Sequence, residues 1–379
     1  LKTFVSGLEG VIAAETEIGE VNGAEGHLVY RGCWARDLAV ERTFEEAAYL
    51  LWNGRLPNHK ELVAFQNGLA SWRKLTPQLK ALLDAIPAET PLMSVMMSAI
   101  AVSGAGSAAW PPTPDQAMRI TAIAPVIIAY RHCVAEGRTW QDVPASIVSE
   151  DTDDLLANGH TAHYLHMLMG HEASYAQIKA LNAYMILAME HGLNASTFTA
   201  RVVSSTESDL YSAVAAAIGA MKGPLHGGAP SGVIDLLEEI GTKDQAEACI
   251  RERLERGEKL MGFGHRIYKT RDPRAVALRS ICEELAGDDP WLDLARFTEE
   301  TAIRLLDEYK PGRKLYANVE FYAAAVMRTV QMTPELFTPT FTAARIVGWT
   351  AHVLEQSGNN RIIRPQSVYI GPMPDEASA

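Results

Sequence analysis

Cysteine is scarce in this 379-residue sequence: four residues, at positions 33, 133, 249 and 282, form no C-x-x-C pair and show no regular spacing. Neither a disulfide framework nor a cysteine zinc site is expected from such a set, and a reducing compartment suits it best. Long apolar runs are also missing. Ile120 to Tyr130 comes nearest, but Thr121 and Pro125 interrupt it and Arg119 and Arg131 flank it; a membrane-spanning helix needs roughly 20 apolar residues. Positive charge is in deficit, with Lys plus Arg at 34 against Asp plus Glu at 46, a formal net charge of −12. That sign is wrong for neutralising phosphates through an overall field, so nucleic acid is a poor partner, whereas a few arginines can still make one pocket cationic. Residues 1–20 mix Lys2 with Glu9, Glu15, Glu17 and Glu20 and have no cationic region followed by an apolar core. A secretory signal is not expected, and a cytoplasmic location is. Internal repeats and low-complexity tracts are absent too.

What is present is a globular composition, 47% hydrophobic and 21% charged, in a chain long enough for two or three structural units. Strand material is confined to residues 11–30, where Val11-Ile12 and His27-Leu28-Val29-Tyr30 flank a turn region from Gly19 to Gly26. The expected element is a short hairpin. From residue 43 onward the period is helical. Thr43 with Glu46 has the spacing of a capping box, Ala47, Leu50 and Leu51 form an apolar stripe, and Gly54 sits where a helix would stop. Leu62, Phe65, Leu69 and Trp72 repeat the stripe. Further helices are expected at 91–103, 114–136, 153–169, 174–190, 209–221, 244–256, 273–285, 291–309, 317–330 and 340–355. The fold class is mostly α. The stretch 212–221 is small-sided enough for close helix approach, which suits deep core or a subunit interface. Gly and Pro cluster at 222–232 and at 309–312, the candidate domain edges.

Three segments carry candidate chemistry. In the first, Gly223-Pro224-Leu225-His226-Gly227-Gly228-Ala229-Pro230, glycines and prolines surround one histidine. Such a loop exposes backbone N–H groups and lets a ligand come close, or it only caps the next helix. In the second, Met261-Gly262-Phe263-Gly264-His265-Arg266 continues through Ile267-Tyr268-Lys269-Thr270-Arg271-Asp272-Pro273-Arg274, placing five basic side chains, His265 included, within ten residues. That pattern suits a polyanion such as a nucleoside phosphate or a tricarboxylate; its bland counterpart is a solvated basic loop. In the third, Asn318-Val319-Glu320-Phe321-Tyr322, a carboxylate sits among apolar and aromatic neighbours, where desolvation would raise its pKa toward that of a useful base.

These segments, in this order, resemble the citrate synthase family over nearly the whole chain. Weaker marks of the same resemblance are Glu190-His191-Gly192-Leu193-Asn194-Ala195-Ser196, Ala344-Arg345-Ile346-Val347-Gly348 and Arg364-Pro365-Gln366-Ser367. Length places the chain with the small bacterial or archaeal type, which includes 2-methylcitrate synthases. The resemblance implies condensation of an acyl-CoA thioester, acetyl or propionyl, with oxaloacetate, followed by thioester hydrolysis. It assigns Glu320 as the base, where the family usually has Asp, His226 as hydrogen-bond donor to the enol or enolate oxygen, and His265 as donor to the oxaloacetate keto oxygen. Arg274, Arg345 and Arg364 would clamp the two carboxylates with His191, and Arg73 is a weaker candidate beside them. CoA would lie along Lys259, Leu260, Met261, Gly262, Phe263 and Gly264, with Arg266, Lys269 and Arg271 near its phosphates. No permanent cofactor and no metal are implied. The implied assembly is a homodimer in which Arg364 reaches the partner's site. The implied architecture is a large helical domain of residues 1–222 and 331–379 with an inserted small domain of 223–330.

Two other classes compete. His160, His163 and His166, with His171 close behind, have helical spacing that invites a metal, although i and i+6 diverge around a helix. A helical scaffold without turnover is the second, favoured only by Glu320 standing at the Asp position.

Overall fold

The computed structural model of the protein describes residues 4–104, 106, 109–227, 231–286 and 289–374. Residues 228–230, at the end of the His226 motif, lie outside the described residues. The described chain is mostly α, as its periodicity predicts. Its strands are β1 (Gly19–Asn22), β2 (His27–Tyr30) and β3 (Cys33–Trp34), one antiparallel sheet in that order. The first helices are α1 (Ala35–Glu41), α2 (Phe44–Asn53), α3 (His59–Trp72), α4 (Pro77–Ala85), α5 (Leu92–Ser103) and α6 (Pro114–Ala135). Then come α7 (His160–Met169), α8 (Tyr175–Ala188), α9 (Ala195–Ser205), α10 (Leu210–Met221) and α11 (Ser231–Ile240). The last are α12 (Lys243–Glu255), α13 (Pro273–Ala286), α14 (Pro290–Tyr309), α15 (Val319–Thr329) and α16 (Phe337–Gly358).

Capping chemistry sets many of the starts. Thr43 and Glu46 close the expected capping box, and Asn58 with Glu61, Thr113 with Gln116 and Ser174 with Gln177 close three more. Each box satisfies two backbone N–H groups that a helix leaves over at its first turn. Gly54 ends α2 at φ 78°, a conformation that costs glycine nothing. Two expectations are corrected. Val11 and Ile12 are exposed and form no strand; the first strand is Gly19–Asn22, inside the stretch read as a turn, because it brings Val21 opposite Leu28 and Gly19 opposite buried Tyr30. The helix expected over 153–169 starts only at His160, since Asp154 turns the chain by accepting the Ala157 N–H. Helices α1, α4, α9 and α11 escaped the periodicity reading.

The long helices α6 and α16 run through the core. Among the described residues α6 alone is long and apolar enough to cross a membrane, yet most of it is buried by α3, α5, α7 and α16. The small-sided α10 packs against α9 and α5, with Ala213 and Ala217 fully buried. Its Ser212, Ala216, Gly219 and Ala220 remain half-buried on another face. One short pairing matters for the site. The Gly264 N–H donates to the Tyr316 carbonyl and the Asn318 N–H to the Gly262 carbonyl, both at 2.8 Å, with Phe263 bridging Ala317. The pairing is antiparallel, so His265 and Glu320 continue from opposite ends of one short zipped pair, and both line the same cavity.

Candidate active site

A cavity of about 180 Å³ is lined by His191, His226, His265, Arg274, Glu320 and Arg345, together with Tyr184, Asn194, Asn318 and Phe341. Five separate stretches of chain converge there: the ends of α8 and α10, the 262–274 segment, the start of α15 and the middle of α16.

The two loop histidines present different nitrogens. The His226 Nε2 receives the backbone N–H of Ser196 at 3.3 Å and lies 2.7 Å from the Ser196 Oγ. A backbone N–H can only donate, so Nε2 is the acceptor and the ring proton is on Nδ1. Ser196 is itself fixed, because its Oγ accepts the Trp349 indole N–H at 3.0 Å and lies 2.8 Å from Asn194 Oδ1, its single proton being shared between that oxygen and His226 Nε2. His265 is the mirror case. Its Nδ1 accepts the N–H groups of Ile267 and Tyr268 at 3.0 and 3.1 Å, which leaves the proton on Nε2. That Nε2 lies 3.3 Å from Arg274 Nη2, which also can only donate. Two donors side by side do not bond to each other, and both residues line the cavity. Burial, reinforced by Arg274, lowers the His265 pKa to about 4, and burial followed by Arg345 lowers that of His226. Both rings are neutral near pH 7. His191, buried and lowered for the same first reason, shares a hydrogen bond with the Tyr268 hydroxyl at 3.1 Å.

The arginines differ in what satisfies them. Arg274 is bound by Asp272 through Nε at 3.0 Å and Nη2 at 2.9 Å, both residues almost fully buried. Arg345 is 2% exposed and has no carboxylate within ion-pairing distance among the described residues. Its Nε donates to the Ala188 carbonyl at 2.6 Å, and its guanidinium stacks 4.7 Å from the Phe341 ring centroid. Burial lowers its pKa to about 10, against the pull of Glu190. A buried cation without a counter-charge is costly, and a bound carboxylate relieves that cost.

Glu320 stands in the first turn of α15, whose N-cap Asn318 accepts the Glu320 N–H at 3.0 Å. Desolvation raises its pKa above the ordinary carboxylate value, with Arg274 and Lys259 opposing. Such a shift makes the carboxylate a stronger base than an exposed one. A second cavity, of about 450 Å³, adjoins the first through His265 and is lined by Lys259, Leu260, Phe263, Gly264, Arg266, Lys310, Arg313 and Leu315. Four of these side chains are cationic.

Two buried arginines, two neutral histidine donors and a desolvated carboxylate thus line one cavity, with a cationic groove alongside, and comparison with known proteins decides the family. Residues 7–366 match the family model described as citrate synthase, C-terminal domain. The chain belongs to the citrate synthase family. It is 38% identical to the 2-methylcitrate synthase of Shewanella oneidensis, over 97% of this chain and 95% of that one. It is also 38% identical to citrate synthase 2 of Bacillus subtilis, over 98% and 96% of the two chains. Among solved structures it resembles citrate synthase from Thermoplasma acidophilum in ternary complex with carboxymethyl coenzyme A and oxaloacetate, at a TM-score of 0.84, 28% identity and coverage of 99% and 98%.

Within this chain of the citrate synthase family some expected site residues lie elsewhere. Arg73 is corrected: it is buried in the core, its Nη2 donating to Glu45 at 3.1 Å, and does not line either cavity. Met261 and Gly262 do not line the groove: exposed Met261 lies against Gly232 and Gly262 against Phe321. The Lys269 Nζ turns back to the Arg266 carbonyl, while Arg271 and Arg364 are exposed. The histidines of α7 are not brought together. His160 stacks on Phe44, His163 reaches the Val143 carbonyl, and no metal-binding cluster forms among the described residues. Sequence reasoning gave no role to Ser196, Trp349, Asp272, Tyr184, Phe341, Lys310 or Arg313. Lys310-Pro311-Gly312-Arg313 did carry a signal, a cationic Gly/Pro turn. Trp349 and Tyr184 carried none, since both look like ordinary core aromatics.

Proposed function

We propose that the protein condenses an acyl-CoA with oxaloacetate and water to give free CoA and citrate, 2-methylcitrate or both. The observation that carries this is the pair of donors on His265 and Arg274 aimed at one oxygen beside an unpaired buried Arg345. Arg345 and Arg274 hold the oxaloacetate carboxylates. Glu320 takes a proton from the carbon next to the thioester carbonyl, and the electron pair moves onto the carbonyl oxygen, where the His226 Nδ1–H stabilises it. That carbon then bonds to the keto carbon. Negative charge developing on the keto oxygen is met by the His265 Nε2–H, which delivers the proton to the new alkoxide. Water finally cleaves the thioester, releasing the CoA thiol. Lys259, Arg266, Lys310 and Arg313 suit the CoA phosphates.

Acetyl and propionyl differ by one methylene, about 1 to 3 kcal/mol of discrimination in a pocket, so both thioesters are substrates in this reading. A homodimer completes each site with the partner's counterpart of Arg364, supported by the exposure of Arg364 and by the half-buried small residues of α10. Residues 223–330 form a small domain that closes over oxaloacetate on the remainder, so oxaloacetate binds first. The test is the initial rate of thiol release with acetyl-CoA and propionyl-CoA, with and without oxaloacetate. Oxaloacetate-dependent release is expected with both; none with either overturns the reading.

A further inference from the structure

Asp272 does more than pair with Arg274. Its Oδ1 accepts the Arg274 backbone N–H and Nε–H, both at 3.0 Å, and its Oδ2 accepts Arg274 Nη2–H at 2.9 Å. The same Oδ2 accepts the backbone N–H of Val319 at 3.1 Å. Val319 is the first residue of α15, and the next residue is Glu320. Among the described residues Asp272 is the one side chain that hydrogen-bonds both the carboxylate-clamping arginine and the helix of the base. The carboxylate is 1% exposed, so these bonds act in a low-dielectric interior where each is stronger than in water. A movement of the Arg274 guanidinium toward a bound carboxylate therefore pulls on the start of α15.

We infer that Asp272 is a positioning residue that couples occupancy of the keto-acid clamp to the placement of Glu320, so that the first substrate prepares the base for the second. This rests on the condensation reading above. The physical basis is the sensitivity of proton transfer to geometry: a misplacement of about 1 Å can cost about 10²-fold in rate.

Removing the Asp272 carboxylate outright would strand buried Arg274 and could prevent folding, so the link is better cut from its other end. Val319→Pro deletes the N–H that Oδ2 accepts and trims a side chain that lines the cavity. Proline is tolerated at the first helical position, and the extended Asn318, at φ −99° and ψ 179°, accepts a following proline. Val319→Ala, which trims the same side chain but keeps the N–H, is the reference. The readout is exchange of deuterium from solvent into the thioester α-carbon, which reports proton abstraction alone, with and without a four-carbon hydroxy-dicarboxylate that lacks the electrophilic keto carbon. In the unmodified enzyme and in Val319→Ala the dicarboxylate accelerates exchange. In Val319→Pro the dicarboxylate binds with unchanged Kd, but the acceleration is lost and kcat falls by about 10- to 100-fold. Equal acceleration in the two variants overturns the inference, as does an unmodified enzyme that turns over without any acceleration. An unmodified enzyme that shows no oxaloacetate-dependent thiol release overturns the condensation reading itself.

Discussion

His226 and His265 acquire opposite tautomers from the same device, a backbone N–H aimed at one ring nitrogen. In the proposed reaction the remaining N–H of each ring meets the oxygen on which charge develops. Ser196 adds a second constraint on His226. In Ser196→Ala the backbone N–H remains, so the tautomer survives, but the ring loses its hydroxyl partner and the Trp349 indole is orphaned. The expected result is a kcat lowered by about 10-fold, the worth of one hydrogen bond, at unchanged KM for oxaloacetate. An equal rise in that KM would place Ser196 in keto-acid binding instead. Glu320 is argued from desolvation. Because burial raises its pKa, and because it acts as the carboxylate, kcat/KM should climb with pH along a limb above the usual carboxylate range. Glu320→Gln should lose about 10²- to 10⁴-fold in kcat and lose that limb, while oxaloacetate still binds. A variant with near-normal turnover would remove Glu320 from the role of base.

At the scale of elements, the hairpin is the part whose position the sequence misled and whose contacts explain its existence. Its β1–β2 turn packs on the loop that holds His265. The Lys269 N–H donates to the Gly23 carbonyl at 2.8 Å, and a Cβ at Gly23 would lie 2.2 Å from the Ile267 carbonyl oxygen. Ile267 is also one of the two donors to His265 Nδ1. Gly23→Ala should therefore push this loop outward, raising KM for oxaloacetate by about 10-fold through misplaced His265 and Arg274, with an unchanged circular dichroism spectrum. Unaltered kinetics would mean that the loop yields without moving its histidine. The helices were readable because capping residues and apolar stripes act locally. Short α1 and α4 were not, since a few turns hold too little periodicity to stand out.

Over the whole molecule, five histidines, at 160, 163, 191, 226 and 265, have pKa values lowered, in each case first by burial. For His163 and His265 the value is about 4, against the ordinary 6.5. Between these limits the unfolded chain binds more protons than the folded one, so stability is fully present above pH 6.5 and is lost as pH falls toward 4. Glu320, raised, works the other way, one group against five. The urea midpoint should drop steadily from pH 7 to pH 4.5 at a slope that His163→Gln reduces; a flat profile would contradict neutral burial. The proposed composite dimer makes its own prediction. Mixing Glu320→Gln with Arg364→Ala chains yields hybrids with one intact site of two, hence about a quarter of normal activity after random exchange, whereas sites complete within one chain would stay inactive.

The sequence by itself determined the helical class, most of the helix starts and the three segments that hold His226, His265 and Glu320, because these depend on period, capping and local Gly/Pro chemistry. Tertiary structure alone decided which arginines face the cavity. Arg73 and Arg345 are both buried helix-associated arginines, but Glu45, 28 residues away, folds against the first, and among the described residues nothing anionic ion-pairs with the second. It also decided which nitrogen each histidine presents, since Ser196 reaches His226 across 30 residues and Trp349 reaches Ser196 across 153. Such partners are brought together by packing of the whole core, and no local pattern in the chain encodes them.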